Sequence, residues 1–155
     1  MKLRYKWRNW SVESGFTKYM RGTFLHHLQE KSMKVMVVDD EKDIELLFRQ
    51  YFRKEIQQKE IEFIFSFSGE DALKLLRTMK QPPESMFILS DINMPGMNGL
   101  ELLQYVKKDF PAIKVSMITA NSDQYYDAAM KYGAEHYFTK PLDFNAIKKK
   151  LLKIW

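Results

Sequence analysis

From Met33 onward, five short apolar runs rich in β-branched and aromatic residues alternate with longer stretches of helical periodicity. That alternation favours a parallel sheet, because parallel neighbours need a crossover between them and a helix is the usual crossover. The predicted strands are Val35 to Val38, Ile61 to Phe65, Met86 to Leu89, Lys114 to Ile118 and His136 to Phe138, all read as buried on both faces.

Between the strands, Ile44, Leu47, Phe48, Tyr51 and Phe52 form one apolar stripe on a predicted first helix. Ser68 opens a second, with Asp71 at capping-box spacing, with Ala72, Leu75, Leu76 and Met79 buried, and with Pro82 and Pro83 closing it. Leu100, Leu103 and Val106 mark a third. Tyr125, Ala128, Ala129 and Tyr132 mark a fourth that stops at Gly133, and Phe144, Ile147, Leu151 and Ile154 mark a fifth. The expected fold is α/β, a doubly wound (βα)5 five-stranded parallel sheet. It ends at Trp155 and leaves no room for an output domain after the last helix.

In such a sheet, ligands bind outside the carboxyl ends of the strands. Those positions hold Asp39, Asp40 and Glu41 after the first strand, Asp91 after the third, Thr119 after the fourth, and Thr139 and Lys140 after the fifth. Clustered carboxylates repel, and a hard divalent cation relieves them. Magnesium suits an all-oxygen site that supplies one or two carboxylates and leaves room for water and phosphate oxygen. Asp91 is then a nucleophile toward a phosphoryl donor, Lys140 offsets charge on the phosphoryl oxygens, and Thr119 donates a hydrogen bond. Taken singly, Asp91 reads as a turn residue, Thr119 as a strand end and Lys140 as a surface lysine. Their joint order carries the argument.

The stretches MKVMVVDDE (33 to 41), SDINMPGMNGLELL (90 to 103), MITA (117 to 120) and YFTKP (137 to 141) together resemble the response-regulator receiver family over about residues 33 to 155. The resemblance implies a flavodoxin-like, CheY-like fold. It also implies that Asp39 and Asp40 hold Mg2+ together with Asp91 and the backbone carbonyl of Asn93, and that Asp91 is the phosphoacceptor. By the same resemblance Thr119 and Lys140 contact the phosphoryl group, Tyr137 is the aromatic switch residue, and Lys140-Pro141 is a cis peptide. The expected protein is a single-domain, cytoplasmic response regulator. It takes a phosphoryl group from a sensor histidine kinase or a histidine phosphotransfer protein and turns over no separate metabolite. Its signal passes to a protein target through the face of the fourth helix, fifth strand and fifth helix. The 51 residues from Asp40 to Asp91 exceed the family's usual spacing, with extra length around Gln57 to Glu60 and Gln81 to Glu84, both turn regions.

Composition limits the rivals. The chain has no cysteine, so disulfides and thiol chemistry are excluded. No apolar run approaches the roughly 18 residues of a membrane span. The net charge of +5 invites a nucleic-acid reading, but it resides wholly in residues 1 to 32, where seven Lys or Arg face Glu13 and Glu30; residues 33 to 155 balance. No direct DNA binding is therefore expected. Residues 1 to 32 read as a basic aromatic extension: an amphipathic helix docking on the domain or on a second copy in a homodimer, a disordered arm, or a start upstream of the one used. His26, His27 and His136 form no metal site, and Lys148, Lys149, Lys150 and Lys153 read as a solvated basic end. A magnesium-dependent phosphohydrolase would favour a second acid two residues beyond Asp91, where Asn93 stands. A phosphorylation-independent interaction module would retain the fold but has no need of the intact acidic and basic set.

Overall fold

The computed structural model describes residues 32–79, 86–121 and 123–154. The readings of residues 1 to 31, of Gln81 to Glu84 and of Pro82 and Pro83 lie outside the described residues. Five parallel strands make one sheet: β1 (Met33–Val38), β2 (Ile61–Ser66), β3 (Met86–Asp91), β4 (Lys114–Thr119) and β5 (Tyr137–Thr139), in the order β2-β1-β3-β4-β5. The helices are α1 (Asp43–Tyr51), α2 (Arg53–Gln57), α3 (Gly69–Thr78), α4 (Gly99–Asp109), α5 (Tyr126–Lys131) and α6 (Phe144–Ile154). No helix among the described residues is long and apolar enough to cross a membrane.

Alternate strand residues feed two cores. Met36, Val38, Ile88, Val115 and Met117 pack under α3, α4 and α5 with Ala72, Leu76, Leu102, Leu103, Val106 and Ala129. Val35, Val37, Phe63, Phe87, Leu89 and Ile118 pack on the other face under α1 and α6, with Ile44, Phe48, Phe52, Phe144, Ile147 and Leu151. Both faces of β1 and β3 are therefore covered, as a doubly wound sheet requires. The expectation that all five strands are buried on both faces does not hold at the edges: β2 exposes Glu62, and no residue of β5 is fully buried. An edge strand has only one neighbour to shield it.

The predicted first helix is two. Phe52, with φ −103 and ψ 18, ends α1 and begins α2, because its ring is fully buried among Phe48 and Phe63 and the backbone bends to keep it there. Two residues of the expected stripe face outward from α1, Leu47 at 40% and Tyr51 at 54% exposure. Tyr51 instead stacks on Phe144 at 4.3 Å. In the predicted fourth helix, α5, Tyr132 is likewise 37% exposed, lying just past the last helical turn. Two boundaries follow the predicted chemistry. The Ser68 side chain accepts from the Asp71 N–H at 3.0 Å to open α3, which is the N-cap half of the expected capping box, and Gly133 follows α5 with φ +95. Lys148 is not a wholly solvated lysine: its side chain is partly buried and its Nζ lies 2.9 Å from Glu55 Oε1.

Candidate functional site

Strand order reverses between β1 and β3, so the chain leaving β1 and the chain leaving β3 diverge and open a crevice at their carboxyl ends. Asp39 immediately follows β1 and Asp91 is the last residue of β3. Neither can turn away. The Asp39 N–H donates to Ser66 O at 3.1 Å, and Asp91 is still in register with Ile118 of β4. Both carboxylates are buried, at 1% and 5% exposure, while Asp40 is exposed at the rim. One oxygen from each of Asp39, Asp40 and Asp91 lies within 4.8 Å of the others.

Lys140 enters from β5. Its backbone N–H donates to Thr119 O at 2.8 Å, extending the β4–β5 pairing by one step, and its peptide to Pro141 is cis. From there Nζ reaches 3.3 Å from Asp39 Oδ2 and 3.6 Å from Asp91 Oδ2. The other Asp39 oxygen accepts from the Glu41 N–H at 2.9 Å. Thr119, fully buried at the end of β4, accepts from the Asn121 N–H at 3.1 Å, and its side chain also hydrogen-bonds that of Tyr137. Tyr137 opens β5 and donates from its hydroxyl to Asn121 O at 3.1 Å, with its ring edge-on to Tyr126 at 5.4 Å. Asn93 lies two residues beyond Asp91, with its side chain exposed.

The structure thus gathers Asp39, Asp40 and Asp91, brings the Lys140 ammonium beside Asp39 and Asp91, and sets Thr119 on the adjoining strand end. Beside the side-chain hydrogen bond between Thr119 and Tyr137, a second link runs through the backbone of Asn121, which the sequence reading did not single out. A backbone bridge of this kind is indifferent to the side chain, so no residue type could have signalled it.

Burial and the charge of Asp39 push the Asp91 carboxyl up to about 6, against the opposing pull of Lys140. Burial acts downward on the Lys140 ammonium, but the attraction of Asp39 and Asp91 outweighs it and the ammonium is held above its ordinary range. Three carboxylates against one ammonium leave the site short of positive charge. The donor atoms are all oxygen, two of the three carboxylates are buried, and the third faces solvent. Those features fit a hard, partly hydrated cation such as Mg2+ and offer nothing to a softer metal.

A family model described as the response regulator receiver domain matches residues 35–152. Chemotaxis protein CheY-3 of Vibrio cholerae is 31% identical over 129 residues, which is 81% of this chain and 93% of that protein. The transcriptional regulator NtrC of Proteus hauseri is 37% identical over 115 residues, 72% of this chain but only 22% of the regulator. Among solved structures, the response regulator TrrA of Thermotoga maritima, crystallised in complex with Mg(2+)-BeF, aligns with a TM-score of 0.64 at 29% identity, covering 79% of this chain and 98% of its own. CheY4 of Vibrio cholerae aligns at 0.66 and 24% identity, covering 80% and 99%.

Proposed function

This chain belongs to the response regulator receiver domain family, and on that footing we propose that it is a phosphorylation-controlled switch of a two-component system with Asp91 as its acceptor. The observation that carries the proposal is the placement of Lys140 Nζ between Asp39 and Asp91, beside a third carboxylate from Asp40. An ammonium there can follow the charge as it moves from a carboxylate to a phosphoryl group on Asp91.

The donor is a phosphohistidine of a sensor kinase or a phosphotransfer protein. A carboxylate oxygen of Asp91 bonds to phosphorus as the P–N bond breaks. The electron pair returns to the imidazole nitrogen, which then takes a proton. Asp39, Asp40, Asp91 and the Asn93 carbonyl are the groups that would hold Mg2+, which supplies positive charge to the phosphoryl oxygens. Lys140 pairs with one phosphoryl oxygen and Thr119 donates its hydroxyl proton to another. The chain catalyses only its own phosphorylation and dephosphorylation.

Output follows from the same contacts. When the Thr119 hydroxyl turns to the phosphoryl group, it gives up its place against the Asn121 N–H. The Asn121 backbone that holds Tyr137 is thereby released, and the surface of α5, β5 and α6 changes. A protein target that prefers that surface selects the phosphorylated population.

Intact mass after incubation with acetyl phosphate and Mg2+ tests the reading. One added phosphoryl group is expected, absent without the metal and absent in Asp91→Asn. No adduct on a folded protein that binds Mg2+ would sink the phosphoacceptor role.

A further inference from the structure

The loop from Ile92 to Asn98 leaves β3 directly after Asp91 and enters α4 at Gly99. Its two ends are secured locally. The Met94 and Gly99 N–H groups both donate to Ile92 O, at 3.2 and 2.8 Å, and Asn98 and Glu101 form a reciprocal capping box at the start of α4. The stretch leading into α4 is also held from another helix. Glu70, in the first turn of α3, accepts a hydrogen bond from the Met97 N–H at 2.6 Å. Among the described residues no other side chain from outside the loop and α4 hydrogen-bonds this loop.

The backbone on both sides is shaped around that bond. Gly96 has φ +73, a left-handed conformation that turns the chain so that the next N–H faces α3, and a Cβ at Gly96 would run into Glu70 Oε1. Gly69 packs so closely that a Cβ there would meet Met97 O at 3.0 Å and the Met97 side chain at 3.1 Å. The Met97 N–H also holds the Glu70 carboxyl below its ordinary range, so the acceptor is a carboxylate at neutral pH.

We propose that Glu70 is a positioning residue for the metal site: by fixing Met97 it fixes the loop that presents the Asn93 backbone carbonyl to the three carboxylates. The inference rests on the Mg2+ reading above. A carbonyl on a loop contributes fully to cation binding only when its position is set beforehand, since otherwise binding must bear the entropy of ordering the loop. Asp39 and Asp91 are set by the sheet. Asn93 lies past the strand and is held only through its neighbours, by the Ile92 N–H to Ile118 O bond and the Met94 N–H to Ile92 O turn, and Glu70 fixes the far side of the same loop from outside. If Glu70 were only a strut between α3 and α4, its loss would lower stability and leave cation affinity untouched.

The test combines calorimetric titration of Mg2+ with hydrogen exchange of the loop amides in metal-free protein, for the wild type, Glu70→Ala and Glu70→Gln. Glu70 is exposed, so both variants should fold, as a cooperative thermal transition will verify. In Glu70→Ala the Mg2+ dissociation constant should rise about threefold to tenfold, at or below the usual effect of removing a support behind a metal ligand. The amides of Asn93, Met94, Gly96 and Met97 should exchange faster in the same variant. Glu70→Gln, which keeps an acceptor oxygen, should stay within about twofold of the wild type, the scatter expected when a hydrogen bond is kept but its charge is lost. Unchanged affinity in Glu70→Ala, or unchanged loop exchange, overturns the inference. A wild type that takes up no Mg2+ overturns the metal reading and this inference with it. That outcome is distinguishable from failure of the Glu70 role alone, in which wild type and Glu70→Ala bind equally well.

Discussion

Lys148 Nζ lies 2.9 Å from Glu55 Oε1 and 5.2 Å from the centre of the Phe52 ring, tying a buried carboxylate on α2 to the helix that closes the same face of the sheet. Glu55 is 7% exposed, and its second oxygen has no hydrogen-bond partner. Burial by itself would raise the Glu55 carboxyl; the hydrogen bond and charge of Lys148 outweigh it and hold it below 4.5.

Replacing Lys148 by Met therefore strands a buried charge. The expected loss is about 2 kcal/mol at pH 7, below the full cost of breaking a buried pair because the lysine end is partly solvated. A lowered carboxylate pKa contributes stability above the unfolded value of 4.5, lost as pH falls through the folded value. The gap between wild type and Lys148→Met should accordingly be widest near pH 7 and shrink as Glu55 protonates toward pH 4. Urea unfolding across that range reads it. A gap independent of pH would assign the loss to packing alone.

Asp91 has the opposite sign. Its carboxyl rises from 3.8 unfolded to about 6 folded, so the folded state binds the proton more tightly. The resulting stability is fully present below 3.8 and lost as pH rises through about 6. Metal-free Asp91→Asn, which carries no charge to bury, should exceed the wild type by on the order of 2 kcal/mol at pH 8, allowing for solvent at the mouth of the site, and lose that advantage below about pH 4. Adding Mg2+ at pH 8 should raise the melting temperature of the wild type and move Asp91→Asn much less. Equal melting temperatures for the two metal-free proteins at pH 8 would contradict the buried-charge account.

What the sequence disclosed and what it concealed divide by range. Strand positions came from local β-branched and aromatic runs, and each observed strand lies within two residues of its predicted ends, as Ile61–Ser66 does against Ile61 to Phe65. Asp39, Asp91, Thr119 and Lys140 were legible because a parallel sheet sends every strand end to one edge, so four distant residues needed only topology to meet. Glu55 with Lys148, and Glu70 with the Met97 N–H, were not legible. Those contacts depend on how helices sit against one another and against a loop, which periodicity within a single helix does not report. The break at Phe52 was hidden for a related reason: its aromatic stripe fits one long helix, and only burial of the ring between Phe48 and Phe63 shows why the backbone bends.

The ammonium of Lys140 occupies the electrostatic position that a divalent cation would share, 3.3 and 3.6 Å from two of the three carboxylates. Removing it in Lys140→Met leaves Asp39 and Asp91 more strongly repelled and more in need of a cation. Mg2+ affinity should rise about threefold to tenfold, a modest share of the bare Coulomb energy at such distances because the site is open to solvent. Acetyl phosphate labelling should nevertheless fall at least tenfold, since the phosphoryl oxygens lose a direct partner. Calorimetry and intact mass together separate the two effects. Weaker Mg2+ binding in Lys140→Met would show that the lysine organises the carboxylates rather than competing for them.

Gly99 sets how closely α4 can approach the acceptor. A Cβ there would collide with the backbone oxygen of Asp91 and would lie 2.8 Å from both Ile92 Cα and Met117 Cε. Two of those three atoms are backbone at the end of β3, so the clash can be relieved only by moving the strand end that carries Asp91 or by lifting α4 from the sheet. Gly99→Ala should cost about 3 kcal/mol, the upper range for overpacking, and slow acetyl phosphate labelling beyond what the unfolded fraction explains. Gly133→Ala is the control. Its φ of +95 makes a side chain strained, but the nearest atom to the added Cβ is Lys107 Cε at 3.5 Å, so it should lose about 1 kcal/mol and label at the wild-type rate. Denaturant melts and labelling time courses on both variants decide the matter: wild-type labelling by folded Gly99→Ala would mean that the helix, not the acceptor, absorbs the displacement.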